Sequence, residues 1–399
     1  MNTITYDKIV TVLIFIGILS TYPYVFDCFL PLPGMQLIAA GILGLLILLL
    51  PARKIKPLPT AFTVCVAVQM GVWFVYSFLH NDTSYFTRIF FLLLTYVVIL
   101  SLNSSKGVED FIKKNNWLIA IQAILGLVAF LLIFIGVLPS IFSFENVDGR
   151  TAQCFGLTCS NAVYGNVIRS AGYFDEPGAL ASWGVYALIF NELYIKNTRV
   201  EKMLVVGLIS TLSMAYFIQL AMYLICFKIN LRKSSLVMLA MLITAASAVN
   251  SLGEGNPLYD MTFGRFEIEK YGHGETAREI LMEESQRYYR KNPIFGNGAQ
   301  TIENIGYMGD NPYETLATDG IVGTIIIYLP LLIVLLRNIR RKEFVFAVLV
   351  IAAGYLQRPF HLGFLHYIML FSFCYLGLKY KGEKYEAQSF DNHSMLQCR

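Results

Sequence analysis

Charge is scarce in this sequence. Asp, Glu, Lys and Arg make up only 15% of its 399 residues, while 56% are apolar or aromatic, and an average soluble protein carries roughly 25% charged residues. That shortage excludes an ordinary water-soluble globule, and no nucleic-acid partner is expected. Histidine is rare, with 5 residues, and cysteine with 7; none of their spacings resembles a zinc site. No glycine-rich phosphate-binding motif is found in the basic loops. Neither a metal nor another cofactor is therefore expected.

What the chain has instead is apolar runs of about 20 residues, the length that crosses a bilayer at 1.5 Å rise per residue. Ten candidate spans are read at 9–27, 34–50, 58–79, 86–102, 117–138, 178–195, 235–251, 316–336, 343–357 and 362–378. The first run resembles a signal peptide in length, but no A-x-A-like site follows it and a second run begins at once, so it reads as an uncleaved span. The expected fold class is all-α: one polytopic integral membrane helical bundle over residues 1–399, with about 10–12 transmembrane helices.

The loops alternate in charge. Segments 52–57, 104–116, 196–202, 228–235, 337–343 and the tail from Lys379 are basic, whereas 27–33 and 80–85 contain no Lys or Arg. The positive-inside rule places the basic set and both termini in the cytoplasm. The stretch 203–227 is then flanked by two basic segments, so it should cross twice or not at all. A pair of short helices or a re-entrant hairpin, broken near Ser210–Ser213, meets that demand; one ordinary span with a misplaced basic loop is the alternative.

Two long loops remain on the outer side, 139–177 and 252–315. The first holds two bases against four acids and the second six against eleven. Function is expected there, because the other loops are short. Cys154 and Cys159 lie in the first; in an oxidising compartment this C-x4-C pair can close a small disulfide, and two buried thiols are the alternative.

The first loop ends in "RSAGYFDEPGALA" (169–181). Asp175 or Glu176 at a helix cap, with Pro177 in the first turn, is ordinary helix-start chemistry. Arg169 and Gly172 have no part in that. An arginine at the membrane surface calls for an anion, whether Glu176, a lipid phosphate or a phosphorylated substrate. In the second loop, 274–298 opens as an amphipathic helix with Ile280, Leu281, Ser285 and Tyr288 on one face and Glu283 and Arg287 at i,i+4, and stops at Pro293. Such a helix lies along a membrane surface, where Arg278, Arg287 and Arg290 have a solvated or headgroup-facing alternative. Asp310, Asn311 and Tyr313 cluster before the next span, where turn and cap chemistry is the bland account.

Taken in order, "RSAGYFDEPGALA", then Arg278 followed by "NPIFGNG" (292–298), then "DNPYETLATDGIVG" (310–323), this chain resembles the O-antigen polymerase and O-antigen ligase superfamily of bacterial envelope glycosyltransferases, over roughly residues 145–340. The resemblance implies a GT-C-like bundle in the bacterial inner membrane with its active site facing the periplasm. It implies transfer of a glycan from an undecaprenyl pyrophosphate carrier to a sugar hydroxyl, without metal and with inversion. A pre-activated donor needs no nucleotide site, in keeping with the missing motif.

Arg169 and Arg278 match the superfamily's arginine positions and are assigned to the pyrophosphate. Departing pyrophosphate gathers negative charge that arginines stabilise, and the acceptor hydroxyl needs a base, for which a carboxylate serves. Asp310 or Glu176 is the base candidate, with Asn311 and Tyr313 on the sugar; Arg287 is a further binding candidate. Related sequences often place an arginine after the serine of "TLS" (211–213), where this chain has Met214; Arg150 or Arg358 is then the expected substitute.

Ligases of this superfamily carry a histidine in the last outer motif. Here Asp310 and Asn311 stand there, which favours polymerisation of lipid-linked repeat units over ligation to a lipid A–core acceptor, although His273 and His361 are displaced candidates. Implied partners are the lipid-linked oligosaccharide, membrane lipids, and a chain-length regulator and flippase of the same pathway. A flippase or other transporter is the competing class. It would place ionisable groups near mid-membrane and show internal repeats. Instead Glu192 falls toward the inner end of its span, Arg88 and Asp319 toward outer ends, and no repeat is evident. A structural or sensor protein would not need both arginine motifs.

Overall fold

Stretches rich in Leu, Ile, Val and Phe have no solvent to bond their backbone, so they satisfy it internally as helices. The computed structural model describes residues 3–52, 56–103, 106–146, 149–228, 244, 247–253, 255–262, 275–305, 311–357 and 363–379. Helices dominate the described residues. Four are long and apolar enough to cross a membrane by length and composition: α3 (Thr60–Leu79), α4 (Ser84–Ser101), α5 (Gly107–Phe134) and, later in the chain, α12 (Glu314–Arg337). With them pack α1 (Thr3–Thr21), α2 (Leu32–Leu49), α6 (Pro177–Phe190), α13 (Lys342–Gln357) and α14 (Phe364–Lys379). One apolar core runs through all of these, from Val10 and Ile14 through Phe62, Leu92, Ile119, Leu188 and Leu331 to Phe371.

The first and fifth spans differ most from the sequence reading. α1 ends at Thr21, before the Tyr22–Pro23 step that disfavours helix, and Tyr24 instead bridges Phe174 while Val25 N–H bonds Tyr173 O at 2.8 Å. Residues 22–27 thus pack against the end of the first long loop rather than continuing the first span. α5 begins at Gly107, ten residues before the expected 117, because Glu109 and Asp110 in its first turn suit the positive helix end. Val108, Phe111 and Ile112 bury one face of that added stretch. The candidate span 235–251 lies mostly outside the described residues.

The stretch 203–227 is a hairpin of two short helices, α7 (Thr198–Gly207) and α8 (Met214–Tyr223), and the break falls where the serines are. A 3-10 turn, Leu208–Thr211, closes α7, and Leu212 takes a left-handed φ of 44° that stops it. α8 continues as a wider turn to Lys228. Both feet meet at the far end of α6: Lys228 Nζ lies 2.5 Å from Glu192 and 2.8 Å from Glu201, and Tyr223 O–H reaches both carboxylates at 3.1 Å. The hairpin therefore leaves and returns on one side of the bundle. Close packing seats it, since a Cβ on Gly207 would come within 2.6 Å of the Ala123 backbone on α5. Small residues allow such approach where water gives no drive to association.

The first long loop is not irregular. It holds a three-stranded antiparallel sheet, β1 (Phe142–Glu145), β2 (Thr151–Cys154) and β3 (Cys159–Ser160), and a two-stranded ribbon, β4 (Val163–Tyr164) and β5 (Val167–Ile168). The all-α expectation holds for the bundle and fails in this loop. The second loop supplies α9 (Pro257–Met261), α10 (Glu275–Lys291) and α11 (Ala299–Ile305). α10 is the expected amphipathic helix, with Ser285 buried and Glu283 and Arg287 exposed, and it packs on α12.

Candidate functional site

Arg169 stands where the first loop meets the hairpin tip. Its Nε donates to Thr211 O at 3.1 Å, and the next residue, Ser170, donates its N–H to Ser210 O at 2.9 Å. Ser210 and Thr211 each return their hydroxyl to the carbonyl three residues back, Gly207 O at 2.8 Å and Leu208 O at 2.7 Å, which holds the tip closed. Gly126 of α5 makes room, because a Cβ there would fall 2.0 Å from Ser170 Oγ. Behind Ser170, Thr158 Oγ1 lies 2.8 Å from Ser170 Oγ and accepts the Gly172 N–H at 2.8 Å. Gly172 has φ 61° and a Cβ would press on Gln122, whose Oε1 accepts the Tyr173 N–H at 3.1 Å. The glycine is there for a left-handed turn over α5.

Glu176 sits at the N-cap of α6 with Pro177 at the first helical position, yet its side chain makes no capping bond. It pairs instead with Arg150 at 3.3 Å, a contact in which Arg150 is 55% exposed and which contributes little to stability. Asp175 fixes the loop through its backbone, donating to Pro23 O at 3.0 Å and accepting from Asn146 Nδ2 at 3.3 Å. The structure thus pairs Glu176 with Arg150 and ties Arg169 to the hairpin tip.

The other candidates belong to the second loop. Asn311 is buried: its amide donates to Ser285 Oγ at 3.1 Å and its Oδ1 accepts the Tyr313 N–H at 2.9 Å. Tyr313 occupies the N-cap of α12, its ring 6.3 Å from that of Tyr289. Both side chains serve the junction of α10 with α12. Arg287 is exposed on α10. Asp310, Arg358, His273 and His361 lie outside the described residues, as does the side chain of Arg278, whose backbone is in α10.

The sequence reading missed a lock beneath the second loop. "NPIFGNG" docks on "ATDGIVG" of α12 through four backbone bonds: Ile321 to Pro293 O at 2.9 Å, Val322 to Ile294 O at 3.1 Å, Asn297 to Ala317 O at 3.0 Å and Gly298 to Thr318 O at 2.9 Å. The approach is so close that a Cβ on Gly320 would lie 2.4 Å from Ile294 O, and one on Gly296 2.3 Å from Thr318 O. Gly320 also interrupts α12 with φ 66°, ψ −172°, a region open essentially to glycine alone. Gly320→Ala should therefore cost about 1–3 kcal/mol, read as a lowered midpoint in thermal unfolding of the detergent-solubilised protein; an unchanged midpoint would show the docking to be loose.

Under the kink, Arg88 of α4 sets Nη1 2.9 Å from both Asp319 carboxylate oxygens. The arginine is 1% exposed and the aspartate 0%. Tyr85 O–H donates to Asp319 Oδ1 and Tyr76 O–H to Asp319 O, each at 2.9 Å, and the guanidinium lies over the Trp73 and Tyr85 rings at 4.8 and 4.6 Å. These two charges, placed at outer span ends by the sequence, are each other's partner across 231 positions. Above them, His80 Nε2 meets Phe295 O at 3.1 Å; a groove of about 430 Å³ there is lined by His80, Asn292, Phe295 and Asn297 among others.

Two carboxylates between the long helices have opposite pH behaviour. For Asp82, burial raises the pKa, but N–H bonds from Gln300 (2.7 Å) and Ser84 (2.8 Å) outweigh it and hold the carboxyl below its usual value. Its stabilisation is present above the unfolded pKa and is lost as pH falls through the folded one, so Asp82→Asn should lower stability at pH 7 and matter less in acid. Asp27 is pushed up to about 6 by burial. Its charge therefore costs stability as pH rises from about 4 to about 6, and Asp27→Asn should raise the thermal midpoint at pH 7 and leave it unmoved below pH 4. Melts across pH 3.5–8 check both signs.

No protein-family model matches this chain, and comparison with curated proteins returns no match.

Proposed function

We propose that the protein polymerises undecaprenyl-pyrophosphate-linked oligosaccharide repeat units at the outer face of the bacterial inner membrane. The observation that carries this reading is Arg169, held through Nε by a backbone carbonyl at the tip of a broken hairpin. In the proposed step an acceptor sugar hydroxyl attacks the anomeric carbon of the donor, its C–O bond forming as the bond to pyrophosphate breaks. Arg169 and Arg278 take up the charge on the departing pyrophosphate. Asp310 accepts the hydroxyl proton; Glu176 is the second candidate, already engaged by Arg150. Asn311 and Tyr313, committed to the α10–α12 junction, support the sugar side by placing backbone rather than by gripping substrate.

The test is deletion of the gene and complementation, read as a glycan ladder on a gel. Loss of the ladder with one repeat unit still attached is the expected result. Loss of all attached glycan would make the protein a ligase, and carrier-linked units accumulating on the cytoplasmic face would make it a flippase. Within the polymerase reading, Asp310→Asn should be the more damaging of Asp310→Asn and Glu176→Gln; unchanged ladders from Asp310→Asn would remove that residue from the chemistry.

A further inference from the structure

The sheet of the first loop brings three cysteines together. Cys154 ends β2 and Cys159 begins β3, and the antiparallel register sets them directly opposite one another. Opposed Cα atoms in such a ladder are about 4.5–5.5 Å apart, within the range of about 4.4–6.8 Å over which a disulfide closes. The two side chains already share a hydrogen bond, and both are buried among Val25, Phe144 and Ala152, with Cys28 and Tyr173 packed against the cluster. The intervening turn is formed, with Phe155 N–H on Thr158 O at 2.9 Å and Gly156 at φ 80°. The register thus places the pair at the backbone spacing a disulfide requires.

We propose that Cys154 and Cys159 are oxidised to a cross-strand disulfide and that Cys28 stays a thiol. The oxidant is a disulfide-bearing partner: one cysteine, as thiolate, attacks it and releases a first thiol. The second then displaces the mixed disulfide, so that one Sγ–Sγ bond forms, two protons leave and the oxidant departs as two thiols. Burial pushes the Cys159 thiol up, so thiolate is scarce in the finished sheet and the exchange belongs to folding, before the strands close. The bond would fix the strand on which the Arg169 segment rests, since Ala171 donates to Cys159 O at 2.9 Å and Cys159 to Gly172 O at 2.6 Å. The inference does not depend on the glycosyl-transfer reading; only its occurrence in the cell rests on the charge-derived orientation.

Both cysteines fall on one tryptic peptide, Thr151–Arg169, and Cys28 on another. Purified full-length protein, reduced, denatured and refolded in detergent with oxidised and reduced glutathione, is quenched by alkylation and digested without reduction. Mass spectrometry should find peptide 151–169 unalkylated and lighter by two hydrogens, with Cys28 alkylated; the Cys28→Ser variant should give the same peptide. Three alkylated cysteines in the most oxidising mixture, or a cross-link from Cys28 to either partner, would overturn the assignment. A second arm alkylates membranes before lysis: the bond found there supports its formation in the cell. Alkylated thiols there, with the bond forming in glutathione, would overturn that part and the outward placement of the loop together.

Discussion

Arg169→Ala should abolish the long glycan ladder while the protein remains in the membrane at normal abundance. Removing one preorganised donor from a developing anion costs on the order of 10²–10³ in rate, enough to reduce a polymer to its first unit on a gel. Glu176 at the helix start is already paired with Arg150, so a blot for membrane-held protein separates a lost rate from a lost fold. Arg169→Lys should restore little. The Nε bond to Thr211 O fixes the plane of the guanidinium, and a lysine, with a single point charge on a flexible stem, reproduces neither that bond nor bidentate contact with a phosphate. A normal ladder from the alanine variant would end the assignment; a missing band on a membrane blot would instead show Arg169 to be structural.

The second large effect is expected at Arg88 and Asp319. Either residue changed alone to leucine leaves a full charge buried among aromatic rings, and losing one partner of such a pair costs about 3–5 kcal/mol. The Arg88→Leu/Asp319→Leu double variant should recover much of that loss, because two apolar side chains no longer strand a charge. A double-mutant cycle on thermal midpoints, followed by size-exclusion chromatography in detergent, reads the coupling. Strict additivity of the two single effects would show that the charges are not partners in the folded protein. The double variant should also keep "NPIFGNG" docked, since the four backbone bonds to α12 do not involve either side chain.

The sequence carried much of the helical layout because long apolar runs admit no other backbone arrangement in a membrane. The hairpin break was legible for a more particular reason: two flanking basic segments fixed the parity, and Ser210–Ser213 was the densest polar interruption. The strands of the first loop were not legible, since segments of two to four residues are too short to show a period. Gly172 has no part in the helix-start chemistry and Gly320 carries no signal of its own; what they make room for, Gln122 in one case and the Ile294 carbonyl in the other, is set by chain far away. The same distance hid the Arg88–Asp319 pair: each charge was visible, and nothing local named its partner. "DNPYETLATDGIVG", taken as a substrate motif, proves to contain one half of a docking surface from Ala317 onward.

The hairpin bears on the position where this chain departs from the pattern of the proposed superfamily. Met214 stands where its members often carry an arginine, and it is the first residue of α8. The opening amides of a helix have no partner within it, and together they present the positive end of its dipole, equivalent to about half an elementary charge. Arg169, bonded to Thr211 O, meanwhile covers the negative end of the turn that closes α7. Under the proposed function, the cation of Arg169 and the amide end of α8 would together face the pyrophosphate at this tip, as broken membrane helices do for charged substrates.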